Sequence, residues 1–173
     1  MPTADMQVWI DKLEIRELIE RLMRYMDDGD GDRIARLFAE DGVLQVAGTV
    51  FAGRDALRNM FPGSPRSGWT ERGELLKQPG ASHWSSNPVI DIDGDTATAE
   101  TDMLVVKRHE DGRAFIALLA RYRDRLRRNE GGGWLIINRT GVSIARPGDE
   151  NTDNEWARAL ERMPADTRAH FRT

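Results

Sequence analysis

Four aspartates and two glycines fill the six positions from Asp27 to Asp32, inside the stretch RYMDDGDGDRIARLF at 24–38. Carboxylates at that density can hold a cation, cap a helix, or act as acid or base. A calcium loop needs acids at its first, third and fifth positions, Gly at the sixth and Glu at the twelfth. Counted from Asp28 the acids fit, but the sixth residue is Arg33 and the twelfth is Ala39, so the metal loop fails. Asp30 or Asp32 is placed to cap a following helix by accepting a backbone N–H, and Asp28 is read as solvated. Asp27 is different. It falls at the C-terminal end of a helical pattern, directly after the apolar Met26, where the helix dipole disfavours a carboxylate by about 0.3–1 kcal/mol.

The remaining chemistry rests on few groups. There is no cysteine, so disulfides, thiolate nucleophiles and Cys-based zinc sites are absent together. Only three histidines exist, His83, His109 and His170. His109 lies in the turn RHEDGR and His170 in RAHFRT, both read as solvated, and neither joins carboxylates at a familiar zinc spacing. Metal and organic cofactors are not expected. His83, in SHWSSN, is either a strand residue facing water or a general base, since imidazole titrates nearest neutrality.

These residues must be positioned by one domain, with an expected body over 1–148 and a helical tail over 149–173 carrying TDNEWARALERM. A chain of 173 residues buries roughly two-thirds of its unfolded surface, enough to afford a small internal cavity. The net charge of −4, with both signs interspersed, offers no basic field for nucleic acid or anionic lipid. With neither a leader-like start nor an apolar run of about 18 residues, the sequence reads as a soluble cytoplasmic protein without membrane partners.

Trp9, Leu13, Leu18, Ile19, Leu22 and Met26 recur at helical spacing between charges, which predicts a long first helix stopped by Gly29 and Gly31. Ile34 to Phe38 predict a short second helix ending before EDG, VLQVAGTVFAG an extended piece, and RDALRNMF a third short helix. Residues 62–81, rich in Pro, Gly and Ser, read as a loop. The period then changes to two in HWSSNPVIDI, DTATAETDMLVVKR, RAFIALLARYRDRL and GWLIINRTGVSIAR, joined by DGD, HEDGR and RNEGGG. Helices followed by a meander of long antiparallel strands give an α+β fold with the helices on one face of the sheet.

The order of IRELIERLMRYMDDGDGDRIARLFAEDGVLQV, GRDALRNMF, SHWSSNPVIDIDGDTATAETDMLVV and GGGWLIINR resembles the SnoaL-like branch of the NTF2-like superfamily, over roughly residues 10–146. Within it the chain looks most like the scytalone dehydratase, bile-acid dehydratase and hexachlorocyclohexane dehydrochlorinase type. The resemblance implies a cone-shaped, cystatin-like fold, a curved antiparallel sheet closed by N-terminal helices over an apolar pocket, and a His–Asp dyad that falls on His83 and Asp27. It departs in two places. The position five before the acid, often Tyr in the family, is Leu22, leaving Tyr25 elsewhere on the helix as the nearby tyrosine; and AFIALLARY offers no second pocket histidine.

The elements that would face such a pocket carry Trp84, Met60, Phe61, Met103, Phe115 and Leu119, residue types equally suited to ordinary core. Together with Tyr25 they form the expected substrate wall, and Asn138, with Arg139 as its alternative, the expected donor to a substrate oxygen. The expectation is a cofactor-independent lyase or isomerase acting on a small apolar hydroxy-carbonyl compound, polycyclic ones included, as a homodimer or higher homo-oligomer through its sheet. Epoxide opening or cyclisation, and a non-catalytic binding or assembly module, are the competing readings.

Overall fold

A 25-residue helix, α1 (Ala4–Asp28), opens the fold, and the computed structural model of the chain describes residues 3–46, 48–60, 68–69, 75–76, 81–108 and 111–145. Thr3 caps α1 by accepting the Met6 N–H, and Gly29 ends it in the left-handed conformation at φ 69°, which costs glycine nothing. Its buried face is Ile15, Leu18, Ile19, Leu22, Met23 and Met26. Trp9 and Leu13, expected on this stripe, are 67% and 65% exposed. Turning by about 100° per residue puts Leu13 on the side opposite Leu22.

Helix α2 (Gly31–Leu37) is capped by Asp30, whose carboxylate accepts the Arg33 N–H at 3.0 Å. Asp30→Ala is expected to lower stability by about 1 kcal/mol and Asp30→Asn by no more than a few tenths, as read by urea denaturation. Gly31 does not stop a helix; it opens α2. A Cβ there would lie 1.9 Å from the Arg58 carbonyl, so its absence is what lets α2 meet helix α3 (Gly53–Arg58).

Strand β1 (Phe38–Val46) begins where α2 ends and takes in both Phe38, expected in the helix, and the EDG segment, expected to lie between the helix and the extended piece; β2 (Thr49–Ala52) returns against it. Within the expected 62–81 loop, β3 (Gly68–Trp69) and β4 (Leu75–Leu76) pair as a two-residue ladder. Four long strands follow, β5 (Ala81–Asp93), β6 (Thr96–Arg108), β7 (Ala114–Arg128) and β8 (Trp134–Ala145). The six-stranded curved sheet has the order β2-β1-β8-β7-β6-β5. Pairing is antiparallel except between β1 and β8, which run parallel, so the sheet is mixed rather than wholly antiparallel. The reason is topological: β1 enters from the helices and joins the sheet beside its last strand.

Alternate residues of each strand meet the helices. On β6 these are Ala97, Ala99, Thr101, Met103 and Val105, and on β7 Ala120, Tyr122, Asp124 and Leu126, all buried. The start of α1 is tied to the far end of the sheet by Asp11, which accepts two bonds from the Arg128 guanidinium at 2.9 Å and one from the Trp134 indole at 3.2 Å. These donors hold the Asp11 carboxyl below the usual carboxylate range, the Arg128 bond most of all. Among the described residues no helix is long and apolar enough to cross a membrane. The 149–173 tail lies outside the described residues, as do His109 and His170.

Candidate active site

β5 is an edge strand, and an edge leaves unpaired backbone donors. The last turn of α1 lies against it. There Asp27 accepts the His83 backbone N–H on both carboxylate oxygens, at 3.0 and 3.1 Å, and the Ser82 hydroxyl on Oδ2 at 3.1 Å. The Asp27 Oδ1 to His83 Nδ1 distance is 2.6 Å. The carboxylate that looked misplaced at a helix C-terminus therefore answers the open sheet edge. Its side chain is 4% exposed and that of His83 24%, so the acid is enclosed while the ring remains reachable. With Nδ1 on the carboxylate, Nε2 has no hydrogen bond among the described residues.

The ladder decides which neighbours share this face. His83 stands opposite Val105 and Ser85 opposite Met103, and β6 passes the register on to Leu118 and Ala120 of β7. Met103, 2% exposed, is thus on the His83 face, and Phe115, opposite Lys107, shares that parity. Trp84 and Leu119 do not. Each lies opposite Leu104, one residue out of phase with Met103, and Trp84 is 60% exposed. Both belong to the outer face. Tyr25, two residues from Asp27, is turned about 200° around α1 and lies under the Arg33 guanidinium, 5.4 Å from its ring centre. Met60 packs on the core after α3. Phe61 lies outside the described residues.

A register shift separates Leu126–Ile136 from Arg125–Asn138, with Ile137 as the extra residue of β8. One added residue reverses every later side chain. Asn138 therefore stands with Arg125 and Val43 on the other face, and Arg139 turns inward with Asp124 and Leu44. Both members of the Arg139–Asp124 pair are 0% exposed, Nη1 donates to Oδ2 at 2.7 Å, and the guanidinium stacks 4.0 Å from the centre of the Tyr122 ring. Burial pushes the Asp124 carboxyl up to about 6 despite the opposing pull of Arg139, and pushes the Tyr122 hydroxyl up as well. The Nε and Nη2 donors of Arg139, Oδ1 of Asp124 and the hydroxyls of Thr101 and Ser143 have no hydrogen-bond partner among the described residues. Buried donors are ordinarily satisfied, so this inward cluster is chemically unspent. A groove of about 250 Å³ lined by Asp91, Thr98, Arg125, Leu126 and Ile137 lies at the other end of the sheet, away from Asp27 and His83.

Sequence reasoning had overlooked Asp124 and Ser82. In ARYRDRLRR the arginines at 121, 123, 125 and 127 take one face of β7, so period two alone puts Asp124 with Tyr122 and Leu126 on the apolar one.

The family model of the SnoaL-like domain matches residues 7–140. Among solved structures, an NTF2-like protein with a cystatin-like fold from Novosphingobium aromaticivorans is 27% identical over 90% of this chain and 92% of its own, with a TM-score of 0.70. A protein of unknown function with a cystatin-like fold from Nostoc punctiforme is 30% identical over 80% and 95%, at a TM-score of 0.62. A third, provisionally named a scytalone dehydratase, also from Novosphingobium aromaticivorans, shares the fold at 22% identity over 79% and 86%, with a TM-score of 0.62. No curated protein matches the sequence. By the match over residues 7–140, and by a sheet and helices arranged as in these structures, the chain belongs to the SnoaL-like domain family of NTF2-like, cystatin-like folds.

Proposed function

We propose that the protein is a lyase or isomerase that moves a proton with His83 and Asp27 and needs no cofactor for it. The observation that carries this reading is the 2.6 Å contact between Nδ1 and an enclosed carboxylate, with the ring itself reachable. Asp27 fixes the tautomer with the proton on Nδ1, which leaves Nε2 as the base. Nε2 removes a proton from carbon beside a carbonyl, and the C–H electron pair enters an enolate. The imidazolium then returns that proton to a departing hydroxyl, giving an alkene and water, or to another carbon, giving an isomer. Asp27 stabilises the imidazolium between the two transfers.

Met103 and Phe115, on the His83 face, suit an apolar body for the same compound. The fold neighbour provisionally named a scytalone dehydratase points to the same class of reaction. For partners, the outer face of β5 to β7 offers exposed Trp84 and Ile116 as a contact between copies in a homo-oligomer.

The test is a panel of hydroxy-carbonyl and epoxide compounds incubated with the protein in D₂O and read by NMR. The expected result is deuterium at the carbon beside the carbonyl, with or without loss of water. Opening of an epoxide without carbon exchange would move the reading to hydrolysis or cyclisation. Saturable binding with neither outcome would make the protein a binding module.

A further inference from the structure

The Asp27 carboxylate has a third partner whose direction is fixed by chemistry. The Ser82 hydroxyl, 3.1 Å from Oδ2, also lies 3.2 Å from the Trp84 indole nitrogen. An indole N–H can only donate and an ionised carboxylate can only accept, whereas a hydroxyl has one proton and two lone pairs. The Trp84 proton must therefore go to Ser82 Oγ, and the Ser82 proton to Asp27. The outcome is a one-way chain from Trp84 N–H to Ser82 O–H to Oδ2, with Oδ1 left for His83 Nδ1.

We propose that Ser82 is a positioning residue for the Asp27–His83 pair, locking the rotation of the carboxylate, and that Trp84 sets the direction of the Ser82 hydroxyl from the outer face of the sheet. The His83 backbone N–H reaches both oxygens almost equally, at 3.0 and 3.1 Å, and so does not by itself choose which one faces the ring. Ser82 does, by occupying Oδ2. Outer partners of this kind commonly orient a working group as strictly as its direct contacts do, and a small misplacement of such a group is costly. The inference rests on the geometry of the pair; only its consequence for turnover rests on the reaction proposed above.

Donation from Ser82 also draws negative charge from the carboxylate. With that donor gone, Asp27 holds the imidazolium more tightly and His83 titrates at higher pH. The experiment follows the His83 ring carbon–proton signal by NMR across pH 5–9, assigned by its absence from His83→Ala, in a chain with only three histidines. No substrate is needed, so the result stands apart from that of the activity screen. Ser82→Ala is expected to move the His83 midpoint upward, Trp84→Phe less far in the same direction, and Ser82→Thr, which keeps the hydroxyl, to leave it where wild type has it. Asp28 beside the acid and Lys107 at the end of β6 are common to all variants and cancel in the comparison. A Ser82→Ala midpoint equal to wild type, or a Ser82→Thr shift as large as that of Ser82→Ala, would overturn the proposal.

Discussion

Turnover in His83→Ala is expected to fall by about 10²–10⁴, the contribution typical of one positioned acid–base group. The same group both takes and returns the proton, so no second side chain inherits half of the work. Asp27→Asn should fall by a comparable factor for a different reason. An asparagine that turns its oxygen towards Nδ1 points its NH₂ at Ser82 Oγ, whose own proton then loses its acceptor, and carries no charge to stabilise the imidazolium. Both chains should still fold, because neutralising Asp27 removes a carboxylate from the unfavourable end of the α1 dipole. Asp30→Asn retains its cap and Asp32→Asn loses only an exposed pair with Arg58, so neither should alter turnover. The measurement is initial rate over the five proteins on any compound that the wild type converts. Near wild-type rates in His83→Ala would place the base elsewhere.

What was legible in the sequence follows the reach of each physical rule. Apolar spacing and turn residues act locally, so α1, α2, α3 and the four long strands were all foreseeable, and Asp30 was recognisable as a cap. Orientation within an element was legible only where its phase ran unbroken. Trp9 and Leu13 look continuous with the Leu22 stripe until nine residues of helical turn are counted. Trp84 follows His83, and adjacent strand residues cannot share a face, so a correct His83 placed Trp84 outside. The choice between Asn138 and Arg139 was beyond the sequence, because it depends on a bulge at Ile137 that composition does not mark. The parallel β1–β8 pairing is likewise a long-range outcome with no local signal.

The largest stability effect is expected at the pair which that bulge turns inward. Arg139→Met should cost about 3–5 kcal/mol, because it strands the Asp124 carboxylate, 0% exposed, without its cation. The double variant Asp124→Leu with Arg139→Met should recover most of that loss or exceed wild type, since an apolar pair of similar volume avoids the desolvation of two ions. The pH dependence has a definite sign. Burial raises the Asp124 carboxyl from its ordinary 3.8 to about 6, so the folded chain binds that proton more tightly than the unfolded one. Its favourable contribution is fully present below 3.8 and is lost as pH rises through about 6. Relative to the double variant, wild type should therefore weaken between pH 4 and pH 7, by an amount on the order of 2 kcal/mol. Urea midpoints of the three proteins at those two pH values measure both effects.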